Sequence, residues 1–141
     1  MIAALIPWSD PTRLALFERW LESVRVAHGL RPETLRSASS DASFRRYLRI
    51  DAHGGDDTSF IVMDAPPALQ DVRPFIAIAA MLQRIGLNAP RVLEQDVVNG
   101  FLLLTDLGEQ LYLATLQKAQ TDDDFKTCNT LMRDAIAALV T

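Results

Sequence analysis

The residues best suited to chemistry are Ser40-Asp41-Ala42-Ser43-Phe44-Arg45-Arg46-Tyr47. Small residues in a tight turn present backbone N–H groups in a concavity that holds an anion, and arginines directly after the turn add charge and paired donors. The guest this pattern suits is a phosphate. A surface hairpin with merely solvated arginines is the plainer reading of the stretch alone. Asp122, Asp123 and Asp124 are a weaker candidate, for a metal. Sequence neighbours on a helix point away from one another, so with Thr121 they read as the capped, dipole-favoured start of the last helix. His28, in the last turn of a predicted helix, reads as a dipole partner. The single cysteine, Cys128, excludes an intramolecular disulfide or a cysteine-rich zinc site and reads as a core residue in a reducing compartment.

The elements that must position the turn follow from the pattern around it. Residues 34–39 can be extended, and beyond the turn Phe44, Arg46, Leu48 and Ile50 alternate with Arg45, Tyr47 and Arg49, the period of a strand with unlike faces. A second turn at His53-Gly54-Gly55-Asp56-Asp57 leads to the apolar strand Ser59-Phe60-Ile61-Val62-Met63. Ala65-Pro66-Pro67 ends that three-strand meander, and residues 71–74 open a helix carrying Phe75, Ile78, Ala79, Leu82 and Ile85, stopped at Gly86. Residues 91–97 form a fourth strand, which Asn99-Gly100 turns into Phe101-Leu102-Leu103-Leu104. Ahead of all this, Ser9 or Asp10 before Pro11 starts a helix with Leu14, Phe17, Leu21 and Val24 in its apolar stripe. A short helix at about 111–116 precedes the last one, whose buried stripe is expected to be Phe125, Cys128, Met132, Ala135, Ile136 and Leu139. That stripe runs on without a stop signal, which predicts an interrupted sequence whose terminal helix needs a partner surface or self-associates.

Composition sets the outer bounds. With 141 residues, 49% hydrophobic and 23% charged, the chain is ordinary for one globular unit. A net charge of −4 and an isoelectric point near 5.0 argue against a nucleic-acid partner, which clustered Lys and Arg would be needed to hold. No apolar run approaches bilayer length and the start lacks a basic leader, so no membrane partner and a cytoplasmic location are expected.

The order of helix, three strands, helix and hairpin, together with the Ser40-to-Tyr47 turn, Ile61-Val62-Met63-Asp64-Ala65-Pro66-Pro67, Gly86-Leu87-Asn88-Ala89-Pro90-Arg91-Val92-Leu93 and Phe101-Leu102-Leu103-Leu104-Thr105-Asp106-Leu107-Gly108, resembles the aminoglycoside phosphotransferase family. Within it the motifs are most similar to the bacterial cell-wall amino-sugar kinases, which phosphorylate the anomeric hydroxyl of N-acetylmuramate and N-acetylglucosamine. The resemblance implies an α+β, protein-kinase-like amino-terminal lobe: a five-stranded antiparallel sheet with a packed helix, preceded by an N-terminal helix and followed by the first helices of the next lobe. It divides the chain into an N-terminal helix (1–30), the lobe itself (31–105), and a hinge with the start of a truncated second lobe (106–141).

By the same resemblance, Ser40, Asp41, Ala42, Ser43, Phe44, Arg45 and Arg46 cover the phosphates of ATP or GTP, bound with Mg2+. Leu104 is the gatekeeper, and Thr105, Asp106 and Leu107 form the hinge along the adenine edge, with Ile50 and Val62 as apolar walls. Met63 stands where relatives have a phosphate-pairing lysine, and Ile76 or a neighbour where they have its glutamate. Losing both is easier than losing one, because an orphan buried carboxylate costs about 3–5 kcal/mol. The relatives' catalytic and magnesium-binding residues fall beyond residue 141, so no catalytic residue and no metal ligand is assigned here, and the sugar acceptor is expected to bind the missing lobe. The alternatives are the corresponding lobe of an aminoglycoside or choline-type kinase and a non-catalytic partner-binding module.

Overall fold

The computed structural model describes residues 6–39, 44–53 and 58–140. Helix α1 (Pro11–His28) begins where expected, with the Asp10 carboxylate accepting from the N–H groups of Thr12 at 2.8 Å and Arg13 at 3.3 Å. It ends at Gly29, whose φ of 62° is the left-handed cap that glycine adopts without strain. A single 3-10 turn, Pro32–Thr34, then precedes β1 (Arg36–Ser39), so the extended segment is shorter than the sequence suggested. Pro32 presets that turn.

Strands β2 (Arg46–Asp51) and β3 (Ser59–Asp64), helix α2 (Arg73–Arg84), and strands β4 (Val92–Asp96) and β5 (Phe101–Thr105) complete the lobe. They form one antiparallel five-stranded sheet in the order β1-β2-β3-β5-β4. The predicted α+β lobe is therefore observed. The β4–β5 turn depends on Gly100: its φ is 74°, and a Cβ there would sit 1.9 Å from the Ala65 carbonyl oxygen. Asp96 anchors the same turn by accepting from the backbone and side-chain amides of Asn99 at 3.0 and 2.7 Å.

Period two divides the sheet into faces with different partners. Leu48, Ile50, Val62, Phe101 and Leu103 point to α1, where Phe17, Trp20, Leu21 and Val24 meet them in a dry core. The Phe17 and Phe101 rings meet edge to face with centroids 5.5 Å apart, and Trp8 tilts onto Phe17 at 4.9 Å. On the opposite face Met63, Leu102 and Leu104 pack with Val72 and with Phe75 and Ile76 of α2. This second cluster is smaller, and Ile78 of α2 and Ile85 just past its end are exposed despite their place in the predicted stripe.

Two expectations about the last third of the chain are corrected. The short helix is a full α3 (Tyr112–Thr121), so Thr121 ends it rather than starting the next. The cap of α4 (Phe125–Leu139) is Asp124, whose carboxylate accepts from the Thr127 N–H at 3.0 Å. Asp123 turns the corner with φ 53°, a conformation that aspartate tolerates better than most residues. The α4 stripe is not buried: Phe125 is 72% exposed, and Met132, Ile136 and Leu139 are exposed with it. Amphipathic periodicity marks which side of a helix is apolar; burial also needs an opposing surface, and α3 alone covers little of this one. No helix among the described residues is long and apolar enough to cross a membrane.

Candidate nucleotide site

The face of the sheet away from α1 opens, beside the end of β5, into a cleft of about 690 Å³. Tyr47 and Arg49 from β2, Ile61 from β3, Leu104 from β5 and Phe75 from α2 supply its walls, and the loop 105–109 crosses its mouth. Of the residues the sequence pointed to, Leu104, Thr105, Asp106 and Leu107 are thus brought together in one place. Leu104 is buried behind the opening, as a gatekeeper would be. Ser40 to Ser43, the proposed phosphate turn, lie outside the described residues.

Ile50 and Val62 are not walls of this cleft. Both are fully buried on the α1 face, and their neighbours Arg49 and Ile61, paired across β2 and β3, line the cleft instead. The reason is parity: a shift of one residue along a strand exchanges its two faces. Met63 does lie on the cleft side, fully buried among Leu102, Val72 and Phe75, with Ile76 packed against the same group. Around Met63 and Ile76 the structure therefore has apolar packing, for which a flexible thioether side chain is well suited.

The two arginines after the turn also part ways. Arg46 stays on the α1 face, where its Nε donates to Asp64 Oδ2 at 3.0 Å, its Nη1 to the Pro7 carbonyl at 3.1 Å, and its guanidinium lies 3.9 Å from the Trp8 ring centre. Asp64 is 1% exposed and also accepts from Arg13 Nε at 2.9 Å, so one buried carboxylate ties α1 to two strands. Arg45 lies on the other side, donating to Gln70 Oε1 at 2.8 Å with its guanidinium 5.9 Å from the ring centre of Phe75, which lines the cleft.

Sequence reasoning missed the ion-pair system that holds residues 106–109. Arg49, only 8% exposed, donates through Nε and Nη2 to the two carboxylate oxygens of Asp106, the second at 3.0 Å. The same guanidinium reaches the Gly108 carbonyl at 3.2 Å and the Glu109 carboxylate. Asp106 further accepts from Ser59 Oγ at 2.7 Å and the Gly108 N–H at 2.8 Å. Chiefly because of the Arg49 hydrogen bonds, and against its burial, the carboxyl is held down at about 2, below its ordinary value of 3.8. Asp106 is thus an anchor for this loop. The available signal was Arg49 itself, a charge on a strand between two apolar neighbours. Among the described residues no group of three or more His, Cys, Asp or Glu side chains could hold a metal ion, so no step through a metal is derived.

A five-stranded antiparallel sheet with an N-terminal helix on one face and a second helix on the other, beside an apolar cleft lined by residues 105–109, is consistent with a protein-kinase-like amino-terminal lobe. The profile of the phosphotransferase enzyme family, APH, matches residues 34–141, and the chain belongs to this family. It is similar to the N-acetylmuramate/N-acetylglucosamine kinase of Pseudomonas aeruginosa, with 46% identity over 125 residues, covering 84% of this chain and 36% of the relative. The enzyme of that name from Pseudomonas putida is 44% identical over 107 residues, 76% of this chain and 29% of the relative. That from Neisseria meningitidis is 34% identical over 123 residues, 87% and 34% respectively. The chain spans about a third of the length of the curated relatives it matches.

Proposed function

We propose that this chain is the nucleotide-binding lobe of a cytoplasmic small-molecule kinase that transfers the γ-phosphoryl group of ATP or GTP, with magnesium, to the anomeric hydroxyl of an amino sugar. The supporting observation is the cleft itself: an apolar slot floored by the cross-strand neighbours Ile61 and Leu104 and lined on one side by residues 105–109, in a member of a phosphotransferase family. A flat heteroaromatic base fits such a slot, with hydrogen bonds to hinge backbone groups fixing its edge. The proposed division is 31–105 for the lobe, with 1–30 as the helix that braces it and 106–141 as the hinge and the beginning of the second lobe.

Phosphoryl transfer is catalysed by positioning and by stabilising charge, and this lobe's share would be to hold the donor. The turn 40–43 would supply backbone N–H groups. Arg45 is the better candidate than Arg46 for the phosphates by position, because its guanidinium lies over Phe75, which lines the cleft, whereas that of Arg46 lies on the α1 face against Asp64 and Trp8. The amino-sugar acceptor is proposed from the names of the relatives, with binding mainly by the part of the kinase fold outside this chain.

Calorimetric titration of MgATP and MgGTP into the purified chain tests the reading, alongside an assay for sugar phosphate formed from N-acetylmuramate or N-acetylglucosamine. Saturable nucleotide binding without turnover is expected. A folded sample that binds neither nucleotide would refute the site, and turnover by the chain alone would refute the absence of catalytic residues from it. A second reading, a partner-binding module, is favoured by the exposed α4 residues Phe125, Met132, Ile136 and Leu139. Concentration-dependent dimerisation in sedimentation, abolished by Met132→Glu and Ile136→Glu, would support it.

A further inference from the structure

We infer that Arg49 is a positioning residue for the nucleotide base, acting through Asp106 to hold the hinge backbone in register with the cleft. The inference rests on the nucleotide reading above and concerns a side chain on neither the phosphate turn nor the hinge. Arg49 sits in β2 with Arg36 of β1 on one side and Ile61 of β3 on the other, so its backbone is fixed by the sheet. From there one guanidinium reaches residues 106, 108 and 109, three of the four residues that follow Thr105. Ser59 adds a donor from β3 to the same Asp106 carboxylate.

The consequence for the loop is geometric. The Asp106 side chain is turned toward the sheet and held by donors from two strands and from its own Gly108 N–H. Thr105 and Leu107 flank it, so the peptide groups that would face a base are carried on a backbone whose middle residue is clamped. A free loop would have to be ordered by the ligand, at the cost of affinity. Only a planar fork fits this role: the contacts use Nε, Nη1 and Nη2 at once, which a lysine ammonium cannot reproduce. Glu109 contributes less than Asp106, since its side chain is 75% exposed against 6%.

A clamp on the base and a contact to the phosphates are separable by ligand. Wild-type chain, Arg49→Lys and Ser59→Ala are titrated with MgATP and with magnesium tripolyphosphate, which has the phosphates but no base, and the melting temperature of each protein is recorded. Arg49→Lys is expected to weaken MgATP about tenfold, equivalent to about 1.4 kcal/mol, and to leave tripolyphosphate within about twofold. Ser59→Ala, which removes one donor and keeps the arginine, gives a smaller loss in the same direction and serves if Arg49→Lys does not fold. Equal losses for both ligands, or unchanged MgATP affinity in a folded variant, would overturn the inference while leaving the nucleotide reading intact. Failure of the wild-type chain to bind MgATP would overturn that reading, and the inference with it.

Discussion

The two faces of the sheet are built from the same strands and put to opposite uses. Toward α1, aliphatic side chains meet four aromatic rings, and the buried carboxylate of Asp64 is matched by Arg13 and Arg46. Toward α2, the apolar cluster is smaller and stops short of residues 105–109, leaving a cleft whose charged members, Arg49, Asp106 and Glu109, are joined through one guanidinium. Both faces thus contain a buried arginine–carboxylate system, but the first joins a helix to strands and the second joins strands to a loop. Ion pairing thus serves attachment in both places, and the apolar cleft lies beside the pair that attaches a loop.

Substitutions can break this contrast. The largest effect is expected for Asp64→Ala, which leaves Arg13 and Arg46 without their shared carboxylate and should cost about 3–5 kcal/mol in urea unfolding. An unchanged midpoint would remove Asp64 as the link between α1 and the sheet. Next come two isoleucines on adjacent strands. Ile50→Ala should cost about 2–5 kcal/mol and leave the nucleotide affinity of the folded protein unaltered, because Ile50 is sealed beneath α1. Ile61→Ala should cost less stability and weaken MgATP; the reverse assignment of effects would exchange the faces.

Acid sharpens the comparison further. The Asp106 carboxyl is held at about 2 against an ordinary 3.8, so its contribution to stability is complete above about pH 4 and is lost as pH falls toward 2. Asp106→Asn should therefore lower stability at pH 5 to 7 and flatten the pH dependence between about 4 and 2, measured by denaturant midpoints. A variant as acid-sensitive in that window as the parent would disprove the anchor. The smallest effect is expected at Met63: Met63→Leu should cost under about 1.5 kcal/mol and leave MgATP affinity within error, since the side chain fills a gap rather than touching phosphate.

Much of the fold was legible because it rests on local signals. Asp10 before Pro11, glycine after His28, the prolines after β3 and Asn99-Gly100 each act within a few residues of where they stand. The site was legible only in part. Phe60 to Met63 and Phe101 to Leu104 are unbroken apolar runs, which hide the parity of a strand; β2, where Leu48 and Ile50 alternate with Tyr47 and Arg49, held the information about which face was wet. The Arg13–Asp64 and Arg49–Asp106 pairs join residues 51 and 57 positions apart, and nothing in local pattern marks such partners. The exposure of α4 was equally out of reach, since periodicity shows an apolar side and not what covers it.

Methyl NMR with labelled Ile, Leu and Val reports whether nucleotide occupies the face away from α1, as proposed. Titration with MgATP should move the Ile61 and Leu104 methyls, while those of Ile50, Val62 and Leu103 on the α1 face stay near their starting shifts. Shifts concentrated on the α1 face, or none on either face from a folded sample, would rule out nucleotide binding in this cleft.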